Sequence, residues 1–193
     1  MRQNLINFSV DGALDQITQS DYGAHYILIY PDLFTLRELY SKYIPKQIEE
    51  NNGMILLNPF YETTNSARQI LSRKGLDVSK CEKENTLVII DSLKEYFGQQ
   101  RQQQTNLLFI KSIAEQAKQI GKSGLSVLGD LGAYIHKSRY NDLVDYELSC
   151  PTKYDLAING FCLYHQKDFN RLAEEQKQQL VEHHGKALNI ERF

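Results

Sequence analysis

The sequence predicts an α/β domain of three layers, a mostly parallel sheet of five or six strands with helices on both faces. Three observations predict it. Short apolar runs alternate with longer stretches of helical spacing, five or six times along the chain. The runs are apolar on both alternate positions, as strands covered on both faces must be. The 193 residues, 41% apolar and 24% charged, suffice for one such core without disulfides, and no linker or internal repeat divides them.

Residues 1–23 carry a weak pattern and the turn formers Asp11, Gly12 and Gly23. They read as a loosely attached segment with one short helix, ahead of a single domain over 24–193. His25 to Tyr30 is a short run rich in β-formers, ended by Pro31 and Asp32. Asp32 can cap the helix that follows, where Leu33, Leu36, Leu39, Tyr40, Tyr43, Ile44 and Ile48 recur at helical spacing. Pro45 should kink or interrupt that helix, and Asn51-Asn52-Gly53 should stop it. Met54 to Asn58 reads as a second strand, with Thr63 or Thr64 capping the next helix. Thr86 to Asp91 is the clearest strand, and Ser92 with Glu95 has the spacing of a capping box. Residues 98–104 are polar and low in complexity, an exposed turn or frayed helix. Asn106 to Ile120 is helical. Gly124 to Gly129 is a fourth strand, Asp142 to Ser149 a helix, and Leu156 to Tyr164 a fifth strand. Phe169 to His183 is helical, Gly185 stops it, and Ala187 to Ile190 adds an edge strand.

Charge excludes some roles. A net charge of −2 and a pI near 6.2 give no default attraction to nucleic acid or an anionic membrane. No apolar run reaches the roughly eighteen residues of a membrane span, and the first residues hold no apolar core of signal-peptide length. Cys81, Cys150 and Cys162 are odd in number and widely spaced, so they read as reduced thiols in a cytoplasmic protein.

In a parallel sheet, ligands bind beyond the carboxyl ends of the strands. The residues to inspect are therefore Tyr30, Asp32, Tyr61, Asp91, Asp130, Tyr164 and His165. Asp32 and Asp91 also suit plain helix capping. The turn after the first strand, Tyr30-Pro31-Asp32-Leu33, has no glycine to cradle a phosphate and no lysine to reach one. Gly121-Lys122-Ser123 precedes a strand instead of opening a helix, so it has the wrong context for a phosphate loop. His183 and His184 are adjacent, about 100° apart on a helix, and His25, His136 and His165 are scattered. No metal site is expected. Cys162 reads as an inert thiol inside a strand and the least accessible of the three, while a catalytic pair with His165 or His25 stays open. Most of the twelve tyrosines suit amphipathic helix faces.

The order of several pieces resembles the MEDS domain, a sensory domain of methanogens and methylotrophs also found in dichloromethane-responsive regulators. They are HYILIY from His25, NGMILLNP from Asn52, GLSVLGDLG from Gly124, DLVDYELS around Glu147, NGFCLYHQKDF from Asn159, and the last helix with His183. The resemblance spans residues 24–190. It implies a relative of the RecA/KaiC-type ATPase fold without a functional phosphate loop, and a role in sensing small molecules such as hydrocarbon derivatives. It points to Asp130, Glu147 and Tyr164. The turn Glu49 to Gly53 departs from the family's more glycine- and glutamate-rich pattern. No output module fits in the remaining residues.

The reading that follows is a stand-alone, non-hydrolytic sensing domain acting through a partner regulator or kinase chain. Its expected ligand residues are Tyr30, Asp32, Tyr61, Asp91, Asp130, Glu147, Tyr164 and His165, with no cofactor identified. Asp130 and Tyr164 should reach one crevice. Glu147 should lie on the inner face of its helix with Leu143, Val144 and Leu148, and needs a partner there. The alternatives are an enzyme using Asp91, Asp130 or Cys162, and a homo-oligomeric structural subunit.

Overall fold

The computed structural model describes residues 5–98 and 103–192. Its strands are β1 (Ile6–Phe8), β2 (His25–Tyr30), β3 (Met54–Asn58), β4 (Leu87–Ile89), β5 (Leu125–Asp130), β6 (Ile158–His165) and β7 (Lys186–Ile190). The helices are α1 (Val10–Thr18), α2 (Leu33–Glu49), α3 (Thr64–Arg73), α4 (Val78–Lys83), α5 (Ser92–Phe97), α6 (Gln103–Gln119), α7 (Gly132–His136), α8 (Tyr140–Ser149), α9 (Gln166–Phe169) and α10 (Glu174–His183). The strands form one sheet in the order β1-β7-β2-β6-β5-β3-β4, and every pairing is parallel. The polar stretch 98–104 falls mostly on residues 99–102, outside the described residues.

The sheet has seven strands where the sequence suggests five or six. The seventh comes from the segment before residue 24, expected to be loosely attached. That segment supplies β1, hydrogen-bonded to β7, and α1, which buries Ala13 and Ile17 completely. With β1 outside it, β7 is an interior strand and not the expected edge. Thr86 to Asp91, the clearest strand by sequence, yields only the three residues of β4, because this strand sits at the sheet's far edge with one partner.

Helix starts follow their caps. The Asp32 carboxylate accepts from the Thr35 amide at 2.8 Å, and the Thr63 hydroxyl accepts from Ser66 at 3.1 Å. Before α5 the cap is Asp91, which accepts from the Lys94 amide at 3.0 Å. Ser92, expected in that role, donates its hydroxyl to the Asp130 carbonyl at 2.6 Å. Helix α2 runs unbroken through Pro45. The ring costs it one hydrogen bond, which burial of Leu36, Leu39, Tyr43 and Ile44 outweighs.

Strand register decides which side chains meet. Tyr30 pairs with His165 and Ile29 with Tyr164, while Asp130 pairs with Leu163 and Gly129 with Cys162. Since side chains alternate along a strand, Leu28, Tyr30, Leu128, Asp130 and Leu163 share one face. That face packs on α1 to α4, in a core containing Ile17, Leu39, Tyr43 and Leu71. His25, Ile27, Ile29, Cys162 and Tyr164 share the other face, covered by α5, α7, α8, α9 and α10 and, toward β3 and β5, by α6.

Candidate functional site

Four of the expected site residues meet beyond the carboxyl ends of β2, β5 and β6. Asp130 is fully buried. It accepts the Tyr30 hydroxyl at 2.6 Å and the Gly132 amide at 2.9 Å. Burial raises its carboxyl to about 7, even though both hydrogen bonds favour the charged form. The His165 ring stands 5.3 Å from Tyr30 and 5.1 Å from Tyr61. The Tyr61 hydroxyl donates to Asp168 at 2.5 Å, and Tyr61 itself is 41% exposed. Burial also raises both phenols and lowers the His165 imidazole. The group thus sets aromatic rings around a buried carboxyl that burial raises to about 7. Asp168, which completes it, was not singled out in the sequence; it lies on the short helix directly after His165.

The other four expected residues go elsewhere. Asp32 is spent on capping α2 and on an ion pair with Arg192 at 3.3 Å. Asp91 caps α5. Glu147 and Tyr164 lie on the opposite face of the sheet from Asp130, so the expected single crevice for Asp130, Tyr164 and Glu147 does not exist. Alternation explains it: Tyr164 precedes His165 by one residue and therefore points the other way.

On that opposite face sits a second polar group. Glu147, wholly buried, does lie on the inner side of α8 with Leu143, Val144 and Tyr146, whereas Leu148 is exposed. One Glu147 oxygen accepts the Tyr164 hydroxyl at 2.8 Å. The other accepts the Cys162 thiol at 3.2 Å and stands 3.3 Å from His184 Nε2 and 3.6 Å from His25 Nε2. Cys162 Sγ is 3.3 Å from His25 Nε2. Burial works against the Glu147 charge, but His184 and then His25 hold the carboxyl well below its ordinary range. Burial lowers the His25 imidazole, partly offset by Glu147, and raises the Cys162 thiol, as does the Glu147 charge.

His25, Glu147, Cys162 and His184 offer one donor atom each, all within 4.8 Å of one another, a grouping able to hold a metal ion. The sequence concealed it. His184 is the residue closing α10, in extended backbone, so helical geometry does not separate it from a shared site. His183 turns away to the Cys150 carbonyl at 2.8 Å. Room for the His25 ring comes from its strand partner Gly160, where an added Cβ would stand 3.2 Å from the imidazole and 2.9 Å from Tyr154. All three cysteines are free, with Cys81 and Cys150 buried and Cys162 only half-buried, against the expectation that Cys162 is the least accessible. It borders a cavity of about 20 Å³ shared with His25, Tyr96, Glu147, Cys150 and Tyr154. A larger cavity of about 330 Å³ lies at the amino end of β2, lined by residues 21–26, Thr152, Lys153 and Gly185.

No helix among the described residues is long and apolar enough to cross a membrane. No curated protein matches the chain by sequence. Among solved structures, a KaiC-like protein from the hyperthermophilic archaeon Pyrococcus horikoshii OT3 superimposes with a TM-score of 0.63 over 87% of this chain and 72% of that one, at 14% identity. That likeness establishes a KaiC-like fold. Residues 24–185 match the family described as the MEthanogen/methylotroph, DcmR Sensory domain. The match takes in both polar groups, the crevice around Asp130 and the buried cluster around Glu147, and the chain belongs to the MEDS family of sensory domains.

Proposed function

We propose that this chain is a non-hydrolytic, cytoplasmic sensor that binds a small molecule in the crevice formed by Tyr30, Tyr61, Asp130, His165 and Asp168, and passes the signal to a partner chain. The observation that carries the reading is Asp130. A fully buried carboxyl raised to about 7 at the carboxyl end of an interior strand is where a ligand-responsive group belongs in this fold. Its protonation state answers to whatever enters beside Tyr61. The absence of hydrolysis rests on the turn after β2. There the Asp32 carboxylate already occupies the Thr35 amide, the kind of helix-end group that a phosphate would need.

The test is a thermal-shift screen with nucleotides and small polar organic solutes on the wild type, Tyr61→Phe and Asp130→Asn. A ligand present at about 100 times its Kd stabilises by about 2.7 kcal/mol, a clear rise in Tm. The rise should shrink or vanish in both variants. A rise that both variants keep in full would place the ligand outside this crevice.

A further inference from the structure

We propose that His25, Glu147, Cys162 and His184 form a binding centre for one divalent transition-metal ion of the zinc class. It lies on the opposite sheet face from the Asp130 crevice, and nothing in it depends on the ligand reading above.

The first argument is geometric. A tetrahedral zinc site has metal–nitrogen and metal–oxygen bonds of about 2.0–2.2 Å and metal–sulfur bonds of about 2.3 Å, which sets its donor–donor edges at roughly 3.3–3.6 Å. Four of the six edges here measure 3.2 Å for Cys162 to Glu147, 3.3 Å for Cys162 to His25, 3.3 Å for His184 to Glu147, and 3.6 Å for His25 to Glu147. The remaining two stay within 4.8 Å. The donors come from β2, α8, β6 and the end of α10, so an ion would tie the helix layer to the sheet.

The second argument is an unpaired nitrogen. The far side of the His184 ring, Nδ1, lies 2.7 Å from the Leu180 carbonyl. That contact places a proton on Nδ1 and turns Nε2 toward the cluster, the way a carbonyl behind a metal-bound histidine orients its ring. Nε2 is buried without a hydrogen-bond partner, in a residue 1% exposed. Nε2 stands 3.3 Å from the Glu147 oxygen, a separation that a proton on Nε2 bridges in the metal-free protein and that a metal ion replacing that proton would bridge in its place.

The third argument is charge. Glu147 is buried as a carboxylate, and Cys162 would lose its thiol proton to solvent as the sulfur–metal bond replaces the sulfur–hydrogen bond. Carboxylate, thiolate and a divalent ion sum to zero, which removes the cost of a lone buried charge. Two imidazoles, one carboxylate and one thiolate also suit zinc better than magnesium or calcium, which favour oxygen throughout.

The experiment is a titration of the chelator-treated full-length chain with Co2+, whose tetrahedral thiolate complexes absorb in the near ultraviolet and the visible, followed by displacement with Zn2+. One equivalent should bind, with a sulfur-to-cobalt charge-transfer band that Zn2+ abolishes. Cys162→Ser should keep visible absorption and lose the charge-transfer band. His184→Ala should weaken binding by at least about 100-fold, since even outer partners of a ligand cost 10–100-fold. His183→Ala, outside the cluster, should bind as the wild type does. Zn2+ should also protect Cys162 from alkylation. The serine variant is near-isosteric, so it decides the matter even if His184→Ala does not fold. Absence of cobalt absorption in the wild type overturns the proposal. So does a charge-transfer band that survives in Cys162→Ser, which assigns the sulfur to another thiol. An alkylation rate that Zn2+ leaves unchanged overturns it as well.

Discussion

Asp130→Asn should reverse its effect on stability between acid and neutral pH. A carboxyl raised from 3.8 to about 7 by burial holds its proton in the folded state across a window where the unfolded chain has lost it. From about pH 4 to about pH 7 the folded state therefore binds more protons, and stability falls as pH rises. At about 1.4 kcal/mol per pH unit, ionised Asp130 opposes folding by about 4 kcal/mol above that window. The asparagine amide keeps the shape. Its oxygen can accept from the Gly132 amide as Asp130 does now, and its NH2 can donate to the Tyr30 oxygen as a protonated carboxyl would. The substitution should cost at most about 1 kcal/mol at acid pH, one imperfect hydrogen bond. Above about pH 7 it should stabilise by roughly 3 kcal/mol, the difference between those two amounts. Urea unfolding of both proteins from about pH 5 to about pH 8 reads this directly, because groups common to both cancel. A difference in unfolding free energy that stays constant across the range would refute the reasoning.

Three further outcomes follow from the same contacts. Asp32→Ala should cost about 1 kcal/mol through loss of the cap on α2. The Thr35 hydrogen bond holds the Asp32 carboxyl below its ordinary value, so the wild type should lose this contribution as the pH drops through that lowered value, and urea curves of the two proteins should converge in acid. Gly160→Ala places a methyl 2.9 Å from Tyr154 and 3.2 Å from His25. It should destabilise by about 1–3 kcal/mol and shift the His25 ring signals in a proton NMR spectrum, whereas unshifted signals would contradict the register that pairs the two. Incubation with ATP and Mg2+ should release no phosphate above the buffer rate, and release that Asp91→Asn abolishes would show the turn after β2 to be irrelevant to hydrolysis.

The layered fold was legible because its signal is local. Each strand run and each helical spacing is complete within twenty residues, and caps such as Asp32 and Thr63 mark the boundaries. The N-terminal strand was missed for the opposite reason. Ile6 to Phe8 becomes a strand only through its partner at Leu188 to Ile190, which no local pattern announces. The group around Asp130 was partly legible, since Tyr30, Asp130 and His165 close strands and Tyr61 follows one. The buried cluster was not. Its four donors come from distant elements, and adjacent histidines suggested divergence only on the assumption that both are helical. Two partial signals existed: Glu147, a carboxylate on the buried side of its helix that had to have a partner, and the pairing of Cys162 with His25 or His165 that the sequence left open, of which the His25 contact forms at 3.3 Å.

A single rule of strand geometry separates the two groups. Residues after a strand end can reach a common edge, but residues inside the last turn of the strand alternate between faces. Tyr164 and His165 are neighbours in sequence, yet one hydroxyl meets Glu147 under α8 while the other ring stands beside Tyr30 and Tyr61. The same holds for Gly129 and Asp130 on β5. Gly129 leaves space for the Tyr96 hydroxyl, 2.6 Å from where a Cβ would stand, and Asp130 turns to Tyr30 on the other side. The sheet between them is a single backbone layer, and both groups draw residues from the interior strands β2 and β6. Moving β6 by even a fraction of a residue would shift Cys162 and Tyr164 on one face together with His165 on the other. The two groups of side chains are therefore separate in chemistry yet carried on the same strands, β2 and β6.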